Sequence, residues 1–248
     1  IFGFIMLFGE TNRIIPQFKG FKFNRSIIKK LIAVAIPSSI GQSGASLGFI
    51  VLNGFIGSYG TATIAAYAMV NRITSLVMQP AMSLGSALTA IIGQNIGANQ
   101  IDRVKEAFHK ALKLTILIGT VGGVLLVIFD KPIINFFMQS KDDPTVIELA
   151  LVYLIYISLS MPLMGIFSVL QGIFQGSGNT KYSMAMEIGR LWFVRLPMIL
   201  FFKHFTAWGS SGIWFSMSFS NLVVCIYGYW IYRKNGWQRR VLHEEAIT

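Results

Sequence analysis

The chain has 248 residues, of which 54% are hydrophobic and only 12% are charged, with a mean hydropathy of +0.61. This apolar content exceeds what a soluble domain of that length usually buries, so lipid is the expected solvent. The net charge of +11 does not indicate a nucleic-acid partner, because the basic residues lie between apolar runs and not on a surface interleaved with stacking aromatics.

The chain opens with an apolar run, residues 1–8, which has neither a starting methionine nor a basic segment before it. We therefore expect no cleaved signal peptide, and we interpret this run as the end of a preceding membrane helix. Residues 9–30 mix basic side chains with Phe and Ile, which is typical of an amphipathic cytoplasmic linker at a membrane surface. A solvated loop is the alternative interpretation of these residues.

Six apolar segments follow, each long enough to cross a bilayer at about 1.5 Å per residue. They cover residues 31–57, 62–92, 108–129, 146–175, 182–202 and 212–232. Each is bounded by Gly, Pro, Asn or clustered charge, as membrane helices are at the interface. The sequence predicts an all-α integral membrane protein with a six-helix bundle over residues 31–232 and a tail at 233–248.

The basic residues are distributed unevenly between the two sides of these segments. Of the 21 Lys and Arg residues, fifteen lie before the first segment, in alternate connections or in the tail. Lys131, Lys141 and Lys203 lie on the opposite side. Because positively charged short loops stay in the cytoplasm, this pattern predicts a multi-pass protein of the cell (inner or plasma) membrane with both ends cytoplasmic.

Three of the predicted helices carry polar residues at helical spacing. The candidate cavity residues are Gln42, Ser46 and Asn53 in the first, Arg72 and Gln79 in the second, and Tyr153, Tyr156, Ser160, Met164, Gln171 and Gln175 in the fourth. The same polar faces also carry Ser83 and Ser86 in the second and Ser168 in the fourth. Polar groups in hydrocarbon are costly unless they face protein or water, so we predict that these faces converge on one aqueous substrate cavity. The alternative is that they only form hydrogen bonds between helices, worth ~0.6 kcal/mol each.

The fifth predicted helix carries ionisable groups inside the membrane. Glu187 and Arg190 are three residues apart and can pair on one helical face. Alternatively, Glu187 is a titrating group that takes up and releases a proton inside the membrane. Arg195 is interpreted as a structural anchor or an electrostatic element of the cavity. In the third helix, Gly119 and Gly123 suggest close packing against a neighbour.

Catalytic constellations are absent from the sequence. The three histidines, His109, His204 and His243, are far apart, and the single cysteine, Cys225, lies in an apolar stretch. The Gly-rich run at 176–181 lacks the order of a phosphate-binding loop. We expect no enzyme activity, no metal site and no cofactor, with energy supplied most simply by an ion gradient.

Four strings, at residues 80–97, 170–181, 192–197 and 212–214, carry a resemblance to a known family. In their order and spacing, the chain resembles the C-terminal lobe, helices seven to twelve, of a multidrug and toxic compound extrusion (MATE) transporter. The resemblance implies one lobe of a two-lobe, twelve-helix antiporter that exports small amphipathic cations in exchange for H+ or Na+. Its implied partners are the lipid bilayer and an N-terminal six-helix lobe.

The sequence departs from the family pattern at one point. Some members place acidic cation ligands on helices seven and ten, where this chain has Gln42 and Gln171. Ion coupling is therefore expected to depend on acids of the N-terminal lobe or on Glu187. Two other functions stay open: a lipid-linked sugar flippase of the same superfamily, which needs a strongly cationic cavity, and a non-transporting membrane scaffold. An intramembrane enzyme has the least support, since no nucleophile and base pair emerges.

Overall fold

The computed structural model describes residues 23–137 and 144–238, and every regular element in those ranges is helical. The helices are α1 (Arg25–Gly57), α2 (Thr61–Gly97), α3 (Ile101–Ile128), α4 (Asp130–Phe137), α5 (Pro144–Gly176), α6 (Thr180–Ile188), a π-helical segment (Gly189–Arg195), α7 (Leu196–Phe205), α8 (Ser210–Arg233) and a 3-10 turn (Gly236–Gln238). The predicted helix end at 1–8, most of the linker and most of the tail lie outside the described residues.

The chain divides into two compact units, residues 1–33 and 34–248. The described part of the first unit is the start of α1, which begins before the predicted span. Four described helices, α1, α2, α3 and α5, are long and apolar enough to cross a membrane. The fifth predicted span is occupied by α6, the π-helical segment and α7, which follow one another without a break, and the sixth by α8. The all-α membrane fold class is confirmed.

Helix α5 is the central element of the second unit and contacts α2, α3, α4, α6 and α8. Its contact with α3 depends on glycine. A Cβ atom placed on Gly119 would lie 2.8 Å from the backbone oxygen of Met161, and one on Gly123 would lie 2.6 Å from that of Ser158. Small residues let membrane helices approach at this distance, so the close packing predicted at Gly119 and Gly123 is confirmed.

Helix α1 packs along α6 and the π-helical segment. A Cβ atom on Gly41 would lie 3.0 Å from the Cα atom of Met184, so the two backbones are close there as well. One hydrogen bond runs from the Thr180 hydroxyl to a carbonyl of α1 at 2.8 Å, and the indole Nε1 of Trp192 donates to the Gly44 carbonyl at 2.9 Å. These contacts place the glycine-bearing face of α1 against α6 and the π-helical segment.

The π-helical segment lies directly before Pro197, near the start of α7. Proline has no backbone N–H, and in an α-helix its ring clashes with the carbonyl four residues earlier, which here belongs to Phe193. The wider π-helical turn accommodates the proline without ending the helix. It also changes the register, so that Glu187 and Arg190 are directed towards α5 whereas Arg195 contacts α8.

Candidate substrate and cation site

A crevice of about 240 Å³ opens between α1, α2, α5 and α6. Its walls are Gln42 of α1, Met82, Gly85, Ser86 and Thr89 of α2, Phe167, Ser168, Gln171, Gly172 and Gln175 of α5, and Glu187 of α6. Amides and hydroxyls therefore share the surface with one carboxylate, one aromatic ring and one thioether. No Lys or Arg is among these described wall residues.

Two glycines bring α2 and α5 together at this crevice. A Cβ atom on Gly172 would lie 2.5 Å from the backbone oxygen of Gly85 and 3.4 Å from the Cβ atom of Leu88. The two backbones therefore almost touch, and the longer polar side chains on either side of the contact, such as Thr89 and Gln175, border an open space. Glycine is required here because any side chain would push the helices apart.

Glu187 is held at the crevice by two donors. Its Oε1 accepts a hydrogen bond from Gln171 Nε2 at 3.2 Å, and its Oε2 accepts one from Arg190 Nη2 at 3.1 Å. The side chain of Glu187 is 24% exposed and that of Arg190 is 12% exposed. The ion pair that the sequence spacing predicts is therefore present, and both of its side chains are mostly buried.

Three buried polar atoms around this carboxylate have no hydrogen-bond partner within the described part of the chain. They are Gln171 Oε1, Ser183 Oγ and Arg190 Nε. Burying a polar atom without a partner is costly, and such atoms are rare away from functional sites. Two of the three are oxygens, so the surroundings of Glu187 offer acceptor capacity that a cation can use.

Arg195 is turned away from the crevice. It is 3% exposed, its Nε donates to Ser220 Oγ at 2.9 Å, and its Nη2 donates to Asn221 Oδ1 at 3.2 Å and to the Met217 carbonyl at 3.3 Å. These partners all belong to α8. Of the two interpretations of Arg195, its contacts are those of a structural anchor, because it joins the π-helical segment to α8.

Four predicted cavity residues of α5 do not reach the crevice and instead pack within the lobe: Tyr153, Tyr156, Ser160 and Met164. The Tyr153 hydroxyl donates to Asn71 Oδ1 at 3.2 Å, and its ring stacks on Trp214 with centroids 4.2 Å apart. The Ser160 hydroxyl donates to a carbonyl of its own helix at 2.9 Å. The polar face of α5 is thus divided between a packed half and a crevice half.

The predicted residues on α1 and α2 are divided in the same way. Gln42 lines the crevice, whereas Ser46, Asn53, Arg72 and Gln79 are exposed on the surface of the described lobe and do not line it. The Ser46 hydroxyl donates to the Gln42 carbonyl at 3.0 Å. The role of these four in substrate binding stays a prediction.

Three wall side chains are absent from the predicted polar faces: Met82, Thr89 and Phe167. Ser86 and Ser168 lie on those faces and do line the crevice. Phe167 is one turn before Gln171, so spacing could have found it, but only the approach of α2 to α5 shows which turn of each face borders the crevice.

The fold and the site define a class of protein: a multi-pass helical membrane protein whose lobe contains a polar, carboxylate-bearing crevice between its helices. The family model described as MatE matches residues 37–201. The chain therefore belongs to the MatE family, and it corresponds to the C-terminal lobe of that fold.

Curated relatives and a solved structure agree with this membership. The chain is 28% identical over 211 residues to the probable multidrug resistance protein YoeA of Bacillus subtilis, which covers 84% of this chain and 45% of that protein. It is also 28% identical over 202 residues to the probable multidrug resistance protein NorM of Listeria monocytogenes, covering 81% and 43%. The chain thus spans about half the length of the curated relatives it matches.

The structural likeness is to a multidrug resistance MATE family transporter of the MOP superfamily in an outward-facing conformation. The TM-score is 0.87 at 22% identity, over 94% of this chain and 52% of that one. At this identity the likeness shows the fold. One lobe of the two-lobe architecture is therefore present in this chain.

Proposed function

We propose that this chain is half of a secondary antiporter that exports small amphipathic organic cations in exchange for H+ or Na+. An N-terminal six-helix lobe supplies the rest of the pathway, and the lobes alternate access to the two sides of the cell membrane. The observation that carries the proposal is the crevice at Glu187, whose described walls include one acidic side chain and no basic one. The curated relatives named as probable multidrug resistance proteins support the same activity.

The wall chemistry suits an organic cation of variable shape. Glu187 supplies the opposite charge, and Phe167 presents an aromatic ring that can contact a cation. Met82 is unbranched and polarisable, so it adapts to different apolar groups, while Gln42 and Gln175 offer hydrogen bonds without charge. Seven of the eleven wall residues are polar, and with Met82 and Phe167 they give one surface both hydrogen-bonding groups and apolar contact area.

Glu187 also supports the coupling to an ion gradient. It is the acidic group among the described walls of the crevice, and Gln42 and Gln171 beside it are uncharged. A carboxylate that binds H+ or Na+ loses its attraction for an organic cation, so the two ligands bind in exchange. Such antiport can run through Glu187 alone or together with acids of the N-terminal lobe.

The basic residues support the proposed orientation of the described helices. The start of α3 carries Lys105, Lys110 and Lys113 within its first turns, close to the connection with α2. The opposite end of α3 is followed by Lys131 in α4. Because short basic segments stay in the cytoplasm, the connection between α2 and α3 is cytoplasmic, and so are both ends of the chain.

Two other functions are less well supported by these contacts. A flippase for lipid-linked sugars needs cations around the pyrophosphate, but Arg195 is bound to α8 and Arg72 does not line the crevice. A membrane scaffold would bury its polar faces against partner helices, which predicts a dry crevice. Neither a cationic wall nor a fully satisfied polar face is found at Glu187.

Transport assays on the full-length transporter in proteoliposomes test the proposal. We expect an imposed H+ or Na+ gradient to drive movement of ethidium, a fluorescent organic cation. Gln171→Ala should slow this movement about tenfold, because a hydrogen bond to a charged group is worth ~1.5–3 kcal/mol. Gln238→Ala is the matched control, since Gln238 is an exposed amide on the 3-10 turn, far along the chain from the crevice.

The outcome that contradicts the proposal is the absence of gradient-dependent movement for every organic cation tested in a folded, reconstituted transporter. Gradient-driven movement of a lipid-linked anionic sugar in the same vesicles would instead favour the flippase. Equal losses of ethidium transport in Gln171→Ala and Gln238→Ala would show that the crevice is not part of the transport pathway. Such a result would not contradict the antiport itself.

A further inference from the structure

Arg190 contacts two side chains that also face the crevice, the carboxylate of Glu187 and the ring of Phe167. Its Nη2 lies 3.1 Å from Glu187 Oε2, and its guanidinium carbon lies 4.3 Å from the centre of the Phe167 ring. Glu187 and Phe167 both line the crevice, whereas Arg190 does not. The same carboxylate and the same ring are therefore available both to a ligand in the crevice and to an arginine beside it.

The contact between Arg190 and Glu187 is weaker than an arginine can make. A guanidinium binds a carboxylate best through two parallel hydrogen bonds, but here one is present and the buried Nε has no partner in the described part of the chain. The second oxygen of Glu187, Oε1, accepts a hydrogen bond from the Gln171 amide Nε2. A pair held by a single hydrogen bond can be exchanged for another cation at modest cost.

Two unpartnered oxygens lie around the same carboxylate. Gln171 Oε1 and Ser183 Oγ are buried without hydrogen-bond partners among the described residues, and their side chains belong to residues that are 7% and 3% exposed. Neither oxygen can be satisfied by the guanidinium as it is placed. A cation near Glu187 would be attracted to both, so the buried surroundings of the carboxylate are suited to a positive ligand that is not Arg190.

The volume of the crevice indicates the size of that ligand. Its 240 Å³ would hold about eight water molecules at ~30 Å³ each, much more than a single metal ion fills. An organic cation head group, by contrast, can fill this volume with its charge near Glu187 and its carbon atoms against Phe167 and Met82. The ligand class that fits is a monovalent organic cation.

We propose that Arg190 is a tethered cation that competes with the transported organic cation for Glu187. With the crevice empty of substrate, Arg190 neutralises the carboxylate and keeps it in the low-dielectric interior. When an organic cation enters, it displaces Arg190 from Glu187, so the lobe never holds an unpaired carboxylate. This inference rests on the proposed export of organic cations and adds the group that limits their affinity.

A double-mutant cycle on the purified full-length transporter tests the competition, with ethidium binding measured by fluorescence. Removing the competitor in Arg190→Gln is expected to lower the ethidium Kd about tenfold, while Glu187→Gln raises it. In the Glu187→Gln background, Arg190→Gln should change the Kd less than about twofold. The matched control is Lys110→Gln, which removes the cation of the exposed Glu106–Lys110 pair on α3 and should leave the Kd unchanged.

The cycle separates competition from a general effect of charge. An equal gain from Arg190→Gln in both backgrounds, or no gain in either, overturns the inference. If Arg190→Gln does not fold, Arg190→Lys keeps the charge but loses the planar contact with Phe167. For Arg190→Lys we expect an ethidium Kd below the wild-type value, but above the Kd expected if no cation competed for Glu187. An ethidium Kd equal to or above the wild-type value contradicts the competition.

The same experiment distinguishes this inference from the proposed function. A transporter that moves ethidium under an imposed ion gradient but shows an additive cycle keeps the antiport function and excludes the tethered competitor. A folded transporter that neither binds nor moves ethidium or any other organic cation tested, in the wild type and in Arg190→Gln alike, contradicts both.

Discussion

Arg195 shows how this lobe keeps a cation inside the membrane with no carboxylate in contact among residues 23–137 and 144–238. Its Nε and Nη2 each reach a side-chain oxygen of α8, from Ser220 and Asn221, and Nη2 also reaches a carbonyl. Charge is thereby spread over several hydrogen bonds rather than neutralised by one anion. Because the guanidinium is planar and fork-shaped, its N–H groups can donate hydrogen bonds in two directions at once.

Arg195→Lys is therefore expected to destabilise the lobe although the charge is kept. The two contacts to Ser220 and Asn221 come from two different guanidinium nitrogens, which a lysine ammonium cannot place at both positions, so the loss of at least one hydrogen bond to a charged group is expected, worth ~1.5–3 kcal/mol. The midpoint of thermal unfolding in detergent should fall by several degrees. Arg233→Lys at the end of α8 is the matched control, and an equal change in both variants would contradict the anchoring role.

Gly85 and Gly172 determine at the level of whole helices where the crevice forms. The Cβ atom of an alanine at residue 172 would lie 2.5 Å from the Gly85 backbone oxygen, a distance that no relaxed structure accommodates. The helices would have to separate or slide, and either movement changes the width of the crevice next to Gln171. The glycine contact thus links packing to the geometry of the site.

Gly172→Ala is expected to lower the stability of the transporter by ~1–3 kcal/mol, as overpacked core substitutions do, and to weaken ethidium binding as well. The matched control is Gly54→Ala in α1, where an added Cβ atom meets nothing within 4 Å. That substitution should be neutral or slightly stabilising, because alanine favours a helix over glycine. Thermal unfolding of both variants checks this, and a tolerated Gly172→Ala would show that the helix contact is looser than described.

Sequence patterns predicted the helices better than the crevice. Apolar length and charged ends were enough to indicate the spans, because both follow from bilayer thickness. The π-helical segment was not predicted, since it depends on which carbonyl the ring of Pro197 would strike. Polar spacing selected Gln42, Gln171 and Gln175, which line the crevice, but it could not show that Tyr153 stacks on Trp214, which depends on contacts between distant helices.

At the scale of the whole molecule, the second unit combines a polar crevice at Glu187 with large exposed apolar side chains. Leu159 of α5, for example, is 80% exposed, as expected for a side chain in contact with lipid. On the same helix, Gln175 lines the crevice at Glu187. Helix α5 is therefore expected to contact lipid at Leu159 and water at Gln175 within a single lobe.

The most direct test of this account is the reaction of single cysteines with a membrane-impermeant thiol reagent, in a background where the buried Cys225 is replaced by Ala. We predict that Gln175→Cys and Ser86→Cys react and are protected by ethidium, whereas Leu159→Cys is unreactive because lipid covers it. Unreactive cysteines at both crevice positions, or labelling there that ethidium does not slow, would contradict a water-filled cation site in this lobe.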